Sequence, residues 1–313
     1  MSSRSTTTYS YQSGFGNTFE TEALPNALPS KGNNPQANKY NLVTEQISGT
    51  AFTVERGRNL RSWLYRIRPS TSNFSEYVPV VCGDFCDENI KFDVDPNPLR
   101  WKPLNKDELS STESTFLDGL KTVATSKSRN ISIYMYNFTS NMSRCSMLNS
   151  DGDFLIVPQL GSLTVQTEMG MLQVDVGEIV VIPRGIVFRV TSMDLLPGIR
   201  SGYMLEVQGH FHLPELGPIG SNGLANARDF LYPVSHYEDL QEQELIYNKF
   251  DGKLFKREID CSPFNVVAWV SACTSTLSCI HILHEALNQK NPSLFTHHWH
   301  FMYIAWKLCP IQV

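Results

Sequence analysis

The chain has 313 residues, 41% of them hydrophobic and 18% charged, with 26 Lys and Arg against 31 Asp and Glu for a formal net charge of -5. That apolar fraction excludes a mainly disordered protein, and it suffices for a sizeable core in one large or two ordinary domains. The mild acidity, with no run of Lys or Arg to neutralise a phosphate backbone, argues against nucleic acid as a partner.

The opening MSSRSTTTYSYQSGFGNTF contains no apolar stretch of signal-peptide length, and no later run reaches the roughly 18 apolar residues of a membrane span. No membrane partner and a cytoplasmic location are expected. Residues 1–60 are rich in Gly, Asn, Ser and Pro. Phrases such as SGFGNTFETEALPNALP and GNNPQ punctuate rather than propagate regular structure, so this part is predicted to be an extended arm lying over the body of its own or a neighbouring subunit.

From Asn59 the pattern turns to β. NLRSWLYRIRPS alternates Leu60, Trp63 and Tyr65 with basic residues, and Ile131–Phe138 (ISIYMYNF) is dense in β-branched and aromatic residues. Between them, the stretch holding Asp95, Pro96, Pro98, Pro103 and ELSSTESTFLDGL reads as loops with room for one helix. Cys82 and Cys86 form a lone CxxxC, which without a second pair predicts reduced thiols rather than a zinc site. Sequons at Asn73, Asn130, Asn137 and Asn141 carry no message in a chain without a signal peptide.

Residues 149–207 carry the clearest architecture. The short apolar runs FLIV, SLTVQ, MLQVD, EIVVI, IVFRV and GYMLEV are separated by turn signals at the spacing of a sandwich or barrel. The expectation is an antiparallel double-sheet barrel. Gly177, Pro183 and Gly185 form GxxxxxPxG, where the first Gly permits a tight turn and the Pro-Arg-Gly ends a strand in a fixed bend. That spacing resembles the second conserved motif of the cupin jelly roll.

Metal-dependent cupins place His-x-His and a Glu on one strand and close the site with another His after the Pro-x-Gly turn. Alternation along a strand puts the first pair on one face, so the donors converge inside the barrel. Aligning the Gly161 turn puts Met147, Asn149, Asp153 and Phe188 at those four positions. The barrel is therefore expected to hold no metal. His210 and His212, with Glu206 and Glu215 nearby, have the i, i+2 spacing of a shared strand face, but Pro214 breaks the strand and the expected reading is ordinary loop histidines. His236 has no partner at ligand spacing and reads as a surface residue.

The phrases YQSGFGNTFETEALPNALPxGxNNPQ, EQISGTAFT, RNLRSWLYRIRPS, NSDGDFLIVPQLG, GEIVVIPRG, LPELGPIGSNGLANARDF and SPFNVVAW stand in order and cover nearly everything from Tyr9 to Trp269. Together they resemble the homogentisate 1,2-dioxygenase family. The resemblance implies oxidative ring cleavage of homogentisate by O2 at a non-haem Fe(II), giving maleylacetoacetate in tyrosine and phenylalanine catabolism. It further implies a homo-oligomer of paired trimers, and a fold with a large amino-terminal β domain and a second cupin-like domain that holds the iron through two His and one Glu.

Beyond Trp269 the pattern of the family is not followed. The family continues with His-Gly-Asn-Tyr, whose His has an acid/base role on the substrate hydroxyl; here the residues are Val270, Ser271, Ala272 and Cys273. The family segments Tyr-Tyr-His-Arg-Asn and Ser-Glu-Phe-Met-Gly, which supply the iron ligands, do not occur in this sequence. A faint echo, NPSLFT at 291–296, suggests that the intervening stretch was read in another frame or through a misjudged exon boundary. Sequencing the transcript across codons 265 to 300 tests that suggestion; a clean transcript encoding this tail would count against it.

The tail concentrates donors: His281, His284, His297, His298 and His300 are five of the eight histidines. His281, His284 and Glu285 offer i, i+3 and i+4 ligands on one helical face, a set suited to Fe, Zn or Cu. Against a built site stand the absence of a strand framework and of orienting second carboxylates. Residues 294–308 (LFTHHWHFMYIAWKL) have the composition of segments that associate when exposed, so a chain ending near Trp269 is expected to be the more soluble.

The reading is an all-β dominated chain with minor α: an arm over 1–60, a cupin-like jelly-roll or β-sandwich domain over 61–269 whose barrel spans about 130–210, and an aberrant tail over 270–313 in place of the catalytic domain. No catalytic, cofactor-binding or metal residue is expected in this chain, and no stoichiometric Fe(II). The alternative to an incomplete dioxygenase is a non-catalytic cupin interaction protein.

Overall fold

The computed structural model describes residues 9–14, 18–29, 38–48, 50, 53–55, 59–72, 75–81, 85, 113–126, 130–192, 198–211, 230–272 and 281–283. Nineteen strands and no helix occur among them. Of the stretch with room for one helix, the described residues 113–120 form no helix. The rest of that stretch, Cys82, Cys86, His212, Glu215, and the tail residues His284, Glu285, His297, His298, His300 and 294–308 lie outside the described residues.

The largest sheet has eight strands. In spatial order they are β1 (Tyr11–Ser13), β15 (Phe230–Pro233), β19 (His281–Leu283), β12 (Ile179–Ile182), β9 (Asp153–Leu160), β14 (Arg200–Val207), β7 (Ile131–Phe138) and β6 (Leu120–Ser126). A seven-stranded sheet runs β11 (Gly170–Val174), β10 (Leu163–Thr167), β13 (Phe188–Ser192), β8 (Cys145–Asn149), β16 (Glu244–Phe250), β17 (Lys253–Ile259) and β5 (Val78–Val80). Pairing is antiparallel except for β8 with β16. The two sheets face each other: Phe154 on β9 meets Phe188 on β13 edge to face at 6.3 Å.

Alternation sets which face each strand buries. Along β14, Arg200, Gly202, Met204 and Glu206 are buried while the residues between them are not, as a period of two requires. The interior so formed is filled by Tyr134, Tyr136, Phe138, Met147, Phe154, Ile156, Phe188, Val190 and Met204, all at most 1% exposed. The bends at either end of β12 use Gly177 and Gly185 at φ 102° and 88°, so both glycines of GxxxxxPxG take a backbone conformation that a side chain disfavours.

A third sheet of four strands, β2 (Thr18–Glu22), β18 (Val266–Ala272), β4 (Arg61–Arg66) and β3 (Val43–Ser48), packs beside the barrel. Trp269 and Arg66 are among the side chains that bind it there. The Trp269 indole donates to the carbonyl of Met169 at 2.7 Å, and the buried Arg66 reaches Glu168 at 2.5 Å and Glu45 at 2.7 Å.

Within residues 1–60 the described strands are β1 in the large sheet and β2 and β3 in the small one; Phe19, stacked on Tyr232 at 4.2 Å, and the Tyr11 hydroxyl, accepting the Gln173 amide at 3.0 Å, find partners in this chain's own barrel. One expectation is corrected. The stretch after Trp269 does not lack a strand framework. Strand β18 continues through Val270, Ser271 and Ala272, and His281–Leu283 is strand β19 rather than a helical turn, because open sheet edges on both sides take up its backbone groups.

Candidate functional site

Met147, Asn149, Asp153 and Phe188, the four residues singled out by the turn alignment, lie on the described part of the barrel. Met147 and Phe188 are paired across β8 and β13, and both are fully buried in the apolar core. Asn149 donates through Nδ2 to Glu206 Oε1 at 2.7 Å and to the Gly152 carbonyl at 2.7 Å. Asp153 accepts the Arg184 amide at 2.8 Å and faces His210 Nδ1 at 3.2 Å.

Glu206, brought to the inner face by the alternation of β14, is the hub of the polar end of the barrel. Its Oε2 accepts the Tyr134 hydroxyl at 2.5 Å, and its Oε1 accepts Lys249 Nζ at 3.0 Å as well as Asn149. Lys249 is 3% exposed and also donates to Asp151 Oδ2 at 2.7 Å. Asp151 in turn accepts the amides of Asp251 and Gly252 at 2.6 and 2.9 Å, which fastens the two-residue turn between β16 and β17. Both turn residues have positive φ, 50° and 71°, as a tight hairpin with an Asp-Gly loop requires.

Electrostatics follow from that geometry. Burial works against the Lys249 charge, but the Glu206 and Asp151 carboxylates outweigh it and hold its pKa above the ordinary lysine value. Burial pushes Asp153 above the usual carboxylate value, against the opposing pull of the Arg184 amide and of His210. Burial likewise lifts Tyr232 to about 12.

Chemically, this arrangement is a satisfied buried network: the carboxylates are committed to Lys249, Asn149, Tyr134 and backbone amides. Among the described residues no three His, Cys, Asp or Glu side chains converge as a metal centre would need. His210 meets Asp153 at 3.2 Å. His236 is exposed. His281 lies on β19, opposite Val181. Asn137, one of the four sequon positions, is buried at 3% exposure.

Lys249, Asp151 and Tyr134 were not foreseen from the sequence. A usable signal was present: the alternation of β7 and β14 places Tyr134 and Glu206 on inner faces, and Asp-Gly between two apolar runs marks the turn that Asp151 caps.

The described architecture is an all-β double-sheet barrel with a side-chain-filled interior and a small flanking sheet. The chain belongs to the homogentisate 1,2-dioxygenase family, whose amino-terminal model, "Homogentisate 1,2-dioxygenase N-terminal", matches residues 10–275. It is 50% identical over 267 residues to the homogentisate 1,2-dioxygenase of Dictyostelium discoideum, covering 83% of this chain and 60% of that protein. For the Homo sapiens enzyme of the same name the identity is 45% over 299 residues, covering 91% of this chain and 66% of that protein. For that of Pseudomonas fluorescens strain Pf-5 it is 47% over 267 residues, covering 83% and 59%. The chain thus spans less than two thirds of the length of each of these relatives. Among solved structures it is similar to an RmlC-like cupin with a double-stranded β-helix fold from Methanocaldococcus jannaschii, at TM-score 0.28 and 12% identity, covering 37% of this chain and 93% of that one. A cupin-2 domain protein from Shewanella frigidimarina gives TM-score 0.25 and 14% identity, covering 32% and 89%. No helix among the described residues is long and apolar enough to cross a membrane.

Proposed function

We propose that this chain is the iron-free amino-terminal part of a cytoplasmic homogentisate 1,2-dioxygenase, the class of oxidoreductase that converts homogentisate and O2 to maleylacetoacetate, and that alone it is inactive. The observation that carries this reading is the family match over residues 10–275, joined to 45–50% identity with three proteins of that name.

The described residues do not fit the Fe(II) that the family implies. Two of the four cupin ligand positions are the packed apolar pair Met147 and Phe188, and the donors that remain are engaged elsewhere: Asn149 with Glu206, and Asp153 with Arg184 and His210. At the position of the family's acid/base histidine stands Val270, half-buried in β18 between Glu20 of β2 and Trp63 of β4. An aliphatic side chain there holds no proton for the substrate hydroxyl. The work left to this part of the protein is to fold and to present a rigid face.

Iron analysis of the purified chain together with ultraviolet monitoring of maleylacetoacetate tests the proposal. The expected result is no stoichiometric Fe(II) and no turnover, unchanged by Val270→His alone. One Fe(II) per chain with turnover of homogentisate would overturn it.

A second reading, a non-catalytic protein that binds other subunits of the family, is favoured by the filled barrel interior. Co-elution with a full-length family enzyme tests it. In either case this chain is expected not to form a stable hexamer on size-exclusion chromatography, because its arm strands are already paired within their own chain.

A further inference from the structure

In the eight-stranded sheet, β12 and β15 do not pair with each other. Between them lies β19, three residues from the part of the chain that departs from the family pattern. Its register is defined on both sides: Val181, Val180 and Ile179 stand opposite His281, Ile282 and Leu283, and Leu231 and Phe230 stand opposite Ile282 and Leu283. Both ladders are antiparallel, so β12 and β15 run parallel to each other across a gap one strand wide. At a strand spacing of about 4.8 Å that gap is about 9.6 Å.

The walls of the gap are held without β19. Strand β12 pairs with β9 through Val180, Val181 and Ile182, and Val180 and Ile182 are core residues. Strand β15 pairs with β1, its Phe230 and Tyr232 are core residues, and Tyr232 is stacked on Phe19. An empty gap would leave two facing rows of backbone N–H and C=O groups without partners inside a sheet, which is the condition under which a sheet captures an extended segment.

We infer that the gap between β12 and β15 is a strand-receiving site, specific for an extended β segment read through its backbone, and that residues 281–283 fill it from within the same chain. Recognition by a double ladder asks little of side-chain identity, but it demands an extended backbone that can donate. A sequence that departs from the family can therefore still close the sheet. Proline is the residue this site rejects, because it lacks the N–H and fixes φ away from the strand value.

The test is hydrogen exchange on the full chain, read by mass spectrometry over segments 179–182 and 230–232. Both segments should exchange slowly in the parent protein and in Ile282→Val. In Ile282→Pro they should lose protection by at least about tenfold, while strands β7 and β14 keep theirs. Adding a synthetic peptide of residues 280–286 to the Ile282→Pro chain should restore protection saturably at one peptide per chain. The same peptide with Pro at the third position should restore nothing. Unchanged exchange in Ile282→Pro, or failure of the first peptide to protect, would overturn the inference. Protection that appears only together with a dimer would overturn the in-chain assignment of the strand.

Discussion

Lys249 shows how a single side chain can decide whether a buried cluster is an asset or a defect. It bonds both Glu206 and Asp151, and both Glu206 and Lys249 have 3% of the side chain exposed. Removing it strands a buried carboxylate, and a broken buried pair costs about 3–5 kcal/mol. Lys249→Met should therefore lower stability by about that amount in denaturant unfolding, and adding Glu206→Gln should recover part of the loss. The pH dependence has a definite sign. The folded pKa of Lys249 is held above the ordinary lysine value by the Glu206 and Asp151 carboxylates, so its contribution is fully present below the unfolded value and is lost as pH rises through the folded one. The gap between parent and Lys249→Met should be constant from neutral pH to about 10 and should shrink above that. A gap already closing near pH 8 would show that the pairing with Glu206 and Asp151 is not what Lys249 contributes.

At the scale of elements, β18 joins the small sheet to the barrel. Trp269 is fully buried and donates to Met169 O, so Trp269→Phe leaves a carbonyl without its partner and opens space beside it. The expected loss is about 1–3 kcal/mol, seen as a lower denaturation midpoint. If Trp269→Phe matched the parent, the indole bond would not be what fastens the two sheets. The strands themselves were largely legible: ISIYMYNF is β7 to the residue, FLIV contains half of β9, and SLTVQ, MLQVD, EIVVI, IVFRV and GYMLEV each contain most of a barrel strand. Strands β1, β2 and β3 were not, because short segments among Gly, Asn and Pro gain β structure only from the sheets that receive them.

For the whole molecule, the described strands give a reason for a cut near Trp269 to harm rather than help. Such a cut removes Val270, Ser271 and Ala272 from β18 and all of β19, exposing the edges of β2, β4, β12 and β15. The chain ending at 269 should give lower soluble yield and stronger light scattering than the full chain, since open edges pair with other molecules. Equal or better solubility of the shorter chain would show that neither strand is needed to close its sheet. The candidate site was legible in one respect: Met147, Asn149, Asp153 and Phe188 were picked out by alignment of turns. Their bonding was not, since Asn149 and Asp153 are tied to Glu206, Arg184 and His210, distant in sequence and met only when the sheets close.

By itself the sequence determined the family, through long phrases in fixed order, and the β class, through alternation and turn residues, because both are properties of neighbours along the chain. The tertiary structure decided where the arm lies, which carboxylate anchors Lys249, and that His281–Leu283 is a strand between β12 and β15. Each of these depends on which backbone or charge is left without a partner once the other strands have packed, and a chain read one segment at a time does not contain that information.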